Sequence, residues 1–411
     1  MAAVTAWRQS FALLRTRRFG TFWFASLLSN IGTWAQQVAQ PWLLLNLGAS
    51  SFIIGLDSFA MSAPVWLLTL TGGALADRAD RRNVITVFQS IQMLCPTLIV
   101  VLLLTHSLTP WMIIAFSTVV GVTDALSMPS FSSIVPSIVE PEQLPAGLAL
   151  NSTQFNISRI AGPALAGLLM TSIGAVGAFV TSAASYLPFI AVAFVVLPKK
   201  ADAQPLSAAL QLGKPLDGVR EIFAMPRLRG AILTTFTTGL LCGPLVTFTP
   251  VLVRDAFGGD AGGFSAAVAA FGVGGLLGGV MLLGVDPGRD RRAFSSLFAM
   301  SYGVVLILAA ANRWLWLLPG VMALAGAAQV LTNTSANTVL QAAAGPGLRG
   351  RAVSLYMLSL RGGLALGSLL VGFTVSVLGV RKGLALNGAA ALVAQLLISR
   401  LWARADAERQ T

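Results

Sequence analysis

Long apolar runs separated by short polar or charged turns make up most of the chain. A hydrocarbon core about 30 Å thick requires roughly 20 apolar residues to cross it as a helix. Twelve runs reach that length, so the pattern predicts an all-α membrane protein with twelve transmembrane helices. The runs cover residues 19–46, 52–76, 84–105, 110–134, 147–170, 175–197, 229–252, 264–285, 293–311, 314–337, 351–378 and 381–402.

One connection between these runs is long and polar enough to act as a linker, and it divides the spans into six and six. The predicted organisation is an N-terminal six-helix bundle in residues 1–197, a cytoplasmic linker in 198–228 and a C-terminal six-helix bundle in 229–411. The motif DRR follows the second span at 80–82 and the eighth span at 290–292. Such matched placement favours a duplicated transporter with two pseudo-symmetric halves.

Basic residues are concentrated in alternate turns of this topology. Lys and Arg are retained on the cytoplasmic side during insertion. If the chain starts in the cytoplasm, the inner segments hold most of its Lys and Arg, and the outer turns hold only Arg254, Arg313, Arg381 and Lys382. We therefore expect a multi-pass protein of the prokaryotic inner membrane with both termini in the cytoplasm.

Composition agrees with a membrane protein and excludes several other classes. Of the 411 residues, 55% are hydrophobic, and the mean hydropathy is +0.79. The net charge of +12 lies in short turns, so it does not indicate nucleic-acid binding. With Cys95, Cys242 and His106 as the only cysteines and histidine, we expect no disulfide framework, metal site or cofactor. No soluble catalytic domain is predicted, and we expect no enzyme activity.

Glycines in the eighth span are spaced for close helix packing. Gly274 and Gly278 form one pair at four-residue spacing, and Gly275 and Gly279 form another. Small residues at this spacing allow helix backbones to approach one another in membranes.

A charged turn between the second and third spans interrupts two long apolar runs. On charge alone it is either a topology anchor that offsets the negative end of the preceding helix or a gating element. Its glycine and charged positions are Gly73, Asp77, Arg78, Asp80, Arg81 and Arg82.

The spacing in GGALADRADRRNV (72–84) resembles the loop between helices 2 and 3 of the major facilitator superfamily. NIGTWAQQVAQPWLLL (30–45), residues 144–169 and residues 348–370 extend that resemblance to the branch with the enterobactin exporter and macrolide-efflux proteins. The resemblance implies two bundles around a central cavity that opens alternately to each side. It also implies small-molecule export driven by inward proton flow, with the 72–84 loop as a latch that is released during the cycle.

Ionisable residues at membrane depth are functional candidates, because each costs at least about 2.5 to 3.5 kcal/mol there. Asp124 and Arg159 fall near mid-depth in the fourth and fifth spans and could pair. That pair is either a structural ion pair or part of a proton-coupling site. Asp57, near the outer end of the second span, is a further proton-coupling candidate that we expect water to reach. Arg361 either binds an anionic substrate group or points towards the cytoplasmic end of its helix.

Amide side chains recur at helical spacing within several spans, so they share faces that point inward. Trp34 in the first span could stack on an aromatic or apolar drug. The alternative for each amide is a helix-to-helix hydrogen bond worth about 0.6 kcal/mol, and the alternative for Trp34 is an interface anchor. The substrate-cavity candidates are Asn30, Trp34, Gln37, Gln89, Asn151, Gln154, Gln329, Asn333 and Arg361.

Together these features predict a monomeric secondary active transporter that exports a small drug-like or siderophore-like amphipathic molecule. Its partners would be that substrate, protons and the lipid bilayer. A solute importer or uniporter of the same fold is one alternative, because fold alone does not give direction or substrate. A non-transporting membrane subunit or a membrane enzyme is another.

Overall fold

A computed structural model of the chain describes residues 12–197, 215–284, 291–345 and 348–407. Within these ranges all regular structure is helical, as the apolar pattern predicts. We label the long helices α1 (Arg17–Asn46), α2 (Ser51–Arg78), α3 (Arg81–Leu104), α4 (Pro110–Ser132), α5 (Leu144–Ser172), α6 (Gly174–Val196), α7 (Pro226–Leu241), α8 (Ala261–Leu283), α9 (Arg291–Ala311), α10 (Leu318–Ala343), α11 (Arg349–Leu378) and α12 (Val380–Ala407).

Ten segments of the described ranges are long and apolar enough to cross a membrane. They include α7 together with its continuation through Leu245–Val251 and a π-helical turn at Leu252–Ala256. The long helices α1 and α5 are not among the ten, because amide and charged side chains such as Gln36 and Arg159 lower their apolar content. The protein is therefore a multi-pass membrane protein, with ten of the predicted spans supported by length and composition.

The connection between α2 and α3 is shorter than the apolar runs predicted. α2 continues to Arg78 and α3 begins at Arg81, which leaves only Ala79 and Asp80 between them. The Asp80 carboxylate accepts a hydrogen bond from the Arg82 backbone N–H at 2.9 Å, and this cap satisfies one of the free N–H groups at the start of α3. The helices extend into the charged segment because backbone hydrogen bonding does not require apolar side chains.

The first compact unit comprises Met1–Leu43 and Ala63–Ala209. In it α3 packs against α6 and α4, and α5 packs against α6. Glycines bring two further pairs together: a Cβ on Gly162 of α5 would lie 2.3 Å from the Cβ of Trp34 in α1, and a Cβ on Gly72 of α2 would lie 2.4 Å from a carbonyl oxygen of α4. The first helix therefore packs on the fifth, the second on the fourth, and the third on the sixth.

The second compact unit comprises Leu44–Ser62 and Leu210–Thr411. Its six long helices repeat the same pairing: α7 packs on α11, α8 on α10, and α9 on α12. Close approach again occurs at glycines, since a Cβ on Gly363 would lie 2.5 Å from the carbonyl oxygen of Phe236. Both units thus have one internal arrangement of helices, as two duplicated halves would.

The predicted linker is partly covered by the structure. Residues 198–214 lie outside the described residues, and Pro215–Ala224 forms a short helix. Asp290 of the second DRR motif also lies outside them. The domain bounds set at 198–228 stay a prediction.

Candidate functional site

A hydrogen-bonded chain of buried amides holds the carboxylate of Asp124. The Nε2 atom of Gln92 in α3 donates to Asp124 Oδ1 at 2.7 Å and to Thr123 Oγ1 at 3.1 Å. Gln92 Oε1 in turn accepts from Gln89 Nε2 at 2.7 Å. Both glutamines are buried, so their preference for these partners is strong. The arrangement fixes the direction of the Asp124 carboxylate relative to α3.

Asp124 lies on a narrow exposed stripe of α4. Beyond Gly121, the exposed residues of this helix are Asp124, Met128 and Ser132, at four-residue intervals, while Thr123 and its other close neighbours are buried. The midpoint of Pro110–Ser132 is residue 121, so Asp124 lies about 4.5 Å along the axis from the middle of the helix. A carboxylate at that depth is costly against hydrocarbon, which indicates that the stripe faces a polar environment.

A cation and two aromatic rings meet between α1 and α5. The guanidinium carbon of Arg159 lies 5.6 Å from the centroid of the Trp34 ring. The Trp34 and Phe155 rings pack edge to face with centroids 5.9 Å apart, and Phe155 is 46% exposed. Trp34 is in the middle of α1 and contacts α5, so the expected alternative of an anchor near a helix end does not apply. The pairing of Asp124 with Arg159 stays a prediction.

The remaining polar candidates of the first unit occupy different environments. Gln154 is 1% exposed, and among the described residues its Nε2 atom has no hydrogen-bond partner. Gln37 is exposed, whereas Asn30 and Asn151 are half-buried. Two other amides of α1, close to Gln37 in sequence, make hydrogen bonds to neighbouring helices. Gln36 Oε1 accepts from Ser182 Oγ of α6 at 2.7 Å, and Gln40 Nε2 donates to Ser117 Oγ of α4 at 2.8 Å.

In the second unit, Gln329 and Asn333 are half-buried in α10, and Arg361 is exposed on α11. The backbone carbonyl of Asn333 accepts a 2.8 Å hydrogen bond from the Tyr356 hydroxyl, which ties α10 to α11. These residues belong to the second unit, and the described contacts do not bring them into one cluster.

Asp57 differs from its expected environment. Its side chain is 5% exposed, so the prediction of a residue open to water is wrong. Asp57 lies in the segment Leu44–Ser62, which packs closely within the second unit. A Cβ on Gly55 would lie 2.2 Å from the Ser368 carbonyl oxygen, and the hydroxyls of Ser58 and Ser368 are 3.0 Å apart.

The predicted gating residues lie at the end of one helix and the start of the next. Gly73, Asp77 and Arg78 are in the last turns of α2. Arg81 and Arg82 are in the first turn of α3, and the guanidinium carbon of Arg82 lies 3.9 Å above the Phe194 ring of α6. Their gating role stays a prediction.

Sequence reasoning missed a polar contact in the second unit. Gln395 of α12 is buried, and its Nε2 atom donates to Ser296 Oγ of α9 at 3.1 Å and to Thr234 Oγ1 of α7 at 3.3 Å. The available signal was that Gln395 is one of two amides, with Asn387, in the last apolar span, where an unsatisfied side chain would be costly.

The fold matches solved transporter structures along almost the whole chain. One of them, the nucleoside transporter NupG, has a TM-score of 0.75 at 13% identity, covering 94% of this chain and 100% of that structure. Together with the relatives described next, this match identifies the protein as a transporter of the major facilitator type.

The chain belongs to the family described as transmembrane secretion effector, whose model matches residues 8–410. It is 24% identical over 369 residues to the staphyloferrin A transporter of Staphylococcus aureus, covering 89% of this chain and 92% of that protein. It is 23% identical over 300 residues to macrolide efflux protein A of Streptococcus pyogenes, covering 70% and 72%. The predicted resemblance to the superfamily and its macrolide-efflux branch is confirmed.

Proposed function

We propose that the protein is a proton-coupled exporter of small amphipathic molecules that works by alternating access. In this proposal α1 to α12 all cross the inner membrane as two pseudo-symmetric six-helix bundles, with both termini in the cytoplasm and with the monomer as the working unit. The repeated helix pairing of the two units supports the duplication. The efflux named in one relative supports export.

The observation that carries the proposal is the placement of Asp124. Its carboxylate is held by Gln92 at 2.7 Å on an exposed stripe near the middle of α4. A titratable group that is both oriented and open can take up a proton from one side and release it to the other. One pH unit across the membrane is worth about 1.4 kcal/mol per proton, which is enough to concentrate a neutral substrate about tenfold.

Arg159, Trp34 and Phe155 supply the substrate surface of the first unit in this proposal. The two rings offer apolar faces for the body of an amphipathic molecule. The guanidinium beside them orients polar groups of the same molecule. Gln37, exposed on α1, adds an amide that can donate or accept.

The gating proposal concerns the α2–α3 connection. Only Ala79 and Asp80 separate the two helices, so the two helix ends are obliged to move together. A charged hairpin of this kind can act as a latch when Asp77 or Arg81 engages a partner in one state and loses it in the other.

The test is substrate movement in proteoliposomes with an imposed pH gradient, using radiolabelled erythromycin and the anionic molecule N-dansyl-phenylalanine as probes. We expect gradient-driven accumulation by the wild type and at least a tenfold loss in Asp124→Asn. The asparagine oxygen can still accept the hydrogen bond from Gln92, so this variant removes titration while it keeps the local contact. Downhill exchange should persist.

The matched control is Asp260→Asn, a second acid-to-amide change. Asp260 caps α8 by accepting from the Gly263 N–H at 2.9 Å, and asparagine caps a helix equally well. Full gradient-driven accumulation by Asp124→Asn would remove Asp124 from coupling. Probe movement in the same direction as protons would favour the importer, and no movement of either probe would favour a non-transporting subunit.

A further inference from the structure

Arg361 lies close to the middle of a long helix. The midpoint of Arg349–Leu378 is residue 363.5, so the Cα of Arg361 is about 4 Å along the axis from it. Half of a 30 Å hydrocarbon core is about 15 Å. An arginine side chain can move its charge towards an interface from near a helix end, but it cannot cover that distance from the centre. The expected alternative, in which Arg361 points to the cytoplasmic end, therefore leaves its charge within the membrane.

The exposed face of α11 changes direction at this residue. In the first part of the helix Arg351, Ser354, Leu358 and Arg361 are exposed, and at 100° per residue they lie within about 80° of one another. In the second part Leu366, Leu370, Phe373 and Val377 are exposed on a face centred about 110° further round, and Ser376 is exposed in the direction of the first face.

The two faces differ in chemistry as well as direction. The second face is wholly apolar, as contact with lipid tails requires. The first carries two arginines and a serine beside Met357 and Leu358, which are 47% and 49% exposed. Ala352 and Ser359 lie in the first part of the helix but in the direction of the second face, and both are buried. The face that carries Arg361 is therefore separate from the apolar stripe, and its two arginines favour a polar environment.

The charge of Arg361 is not compensated within the described ranges. Arg361 makes no hydrogen bond, ion pair or ring contact to another described residue. A guanidinium in a site of reduced polarity binds carboxylates through short, charge-assisted and often bidentate hydrogen bonds. Met357, one turn away, is a flexible and polarizable side chain suited to varied apolar groups.

We propose that Arg361 binds an acidic group of the substrate, so that this transporter prefers amphipathic anions over neutral or cationic molecules. Arg361 holds the carboxylate, and Met357 and Leu358 contact the apolar body next to it. This inference rests on the proposed export function, because it names the substrate class of that function.

The test uses two probes that differ in one group, N-dansyl-phenylalanine and N-dansyl-phenylalaninamide. Their binding to the purified full chain in detergent is measured by dansyl fluorescence. We expect the wild type to bind the acid at least tenfold more tightly than the amide, as a charge-assisted hydrogen bond predicts. Arg361→Gln should lower the affinity for the acid to that for the amide and leave the amide unchanged, and Arg361→Lys should keep part of the preference.

Arg351→Gln is the matched control, because it removes an arginine from the same face ten positions closer to the helix end. It should leave the preference for the acid intact. Equal binding of acid and amide by the wild type, binding of neither, or a preference that survives in Arg361→Gln would overturn the proposal. Unchanged elution and melting temperature of each variant exclude misfolding.

A transport arm separates this inference from the proposed function. Both probes are offered to proteoliposomes under the same pH gradient. Arg361-dependent binding without gradient-driven movement would refute export and keep the anion preference. Movement of both probes at equal rates would keep export and refute the preference.

Discussion

The packing of α8 against α10 depends on the absence of a side chain at Gly274. A Cβ built there would lie 1.8 Å from the Ala323 carbonyl oxygen and 2.6 Å from the Ala323 Cα. Both atoms are backbone, so neither can rotate away. At Gly279, in the same helix, the nearest atom would be Val330 Cγ1 at 4.0 Å, an ordinary contact. We predict that Gly274→Ala destabilises the protein and that Gly279→Ala does not.

The magnitude follows from the geometry. A carbon to oxygen contact needs about 3.3 Å, so the Gly274 methyl group requires a local separation of about 1.5 Å between α8 and α10. A gap of 0.5 to 1 Å already forfeits a quarter to a half of each dispersion contact. Overpacking typically costs about 1 to 3 kcal/mol, and a backbone clash belongs at the upper end of that range. Alanine gains about 1 kcal/mol in helix propensity at both positions, so the difference between the variants isolates packing.

The assay is the melting temperature in detergent at a fixed heating rate, followed by the fluorescence of the 9 tryptophans. About 2 to 4 °C per kcal/mol is expected for a unit of this size. Gly274→Ala should therefore melt roughly 2 to 12 °C below Gly279→Ala, and the wild type should melt about 2 to 4 °C below Gly279→Ala because it lacks the gain in helix propensity. Melting temperatures within about 1 °C of each other would refute the close contact between α8 and α10.

Two further predictions concern the second unit. Arg381→Ala should lower the melting temperature by several degrees, because Arg381 donates to the carbonyl oxygens of Ala310, Asn312 and Ala256, and each charge-assisted bond is worth about 1.5 to 3 kcal/mol. The control is Lys382→Ala, which changes the exposed neighbouring residue. Equal melting temperatures of the two variants would contradict the prediction. Ser58→Cys combined with Ser368→Cys should form a disulfide on oxidation, since the two hydroxyls are 3.0 Å apart. If the segment Leu44–Ser62 must leave α11 during the cycle, probe movement should stop on oxidation and resume on reduction. In the Ser58→Cys single variant, oxidation should not change probe movement. Undiminished movement through the cross-linked protein would refute that motion.

Much of the helical architecture could be predicted from the sequence. Apolar length located the helices, and the glycine pairs of the eighth span indicated a close helix contact. Sequence periodicity relates residues within one helix, but it does not say which neighbour each face meets. It therefore could not separate Gly274, which touches the α10 backbone, from Gly279, which does not. The burial of Asp57 was mispredicted for the same reason, because it depends on the packing of Gly55 against Ser368, more than 300 residues away in the chain.

Most residues of the candidate site could be predicted from the sequence, but only some of the contacts between them could. Asp124 and Gln89 were selected because polar groups are costly in a membrane, and the structure joins them through Gln92 in one hydrogen-bonded chain. The contact between Trp34 and Arg159 was not predicted. It depends on Gly162 allowing α5 to approach α1, which no property of either helix alone specifies.

Two long helices, α1 and α5, do not meet the apolar criterion for a span. They share the Trp34, Phe155 and Arg159 cluster, and α1 also makes amide contacts to α4 and α6 through Gln40 and Gln36. Each of these polar groups meets protein or an open polar face, so none needs hydrocarbon around it. A helix that contributes a pathway for a polar or charged substrate must lose apolar character on the face that lines it. The deficit in α1 and α5 is therefore what the site proposed on these helices predicts, whereas α8, packed through glycines, has Ser265 as its one polar side chain.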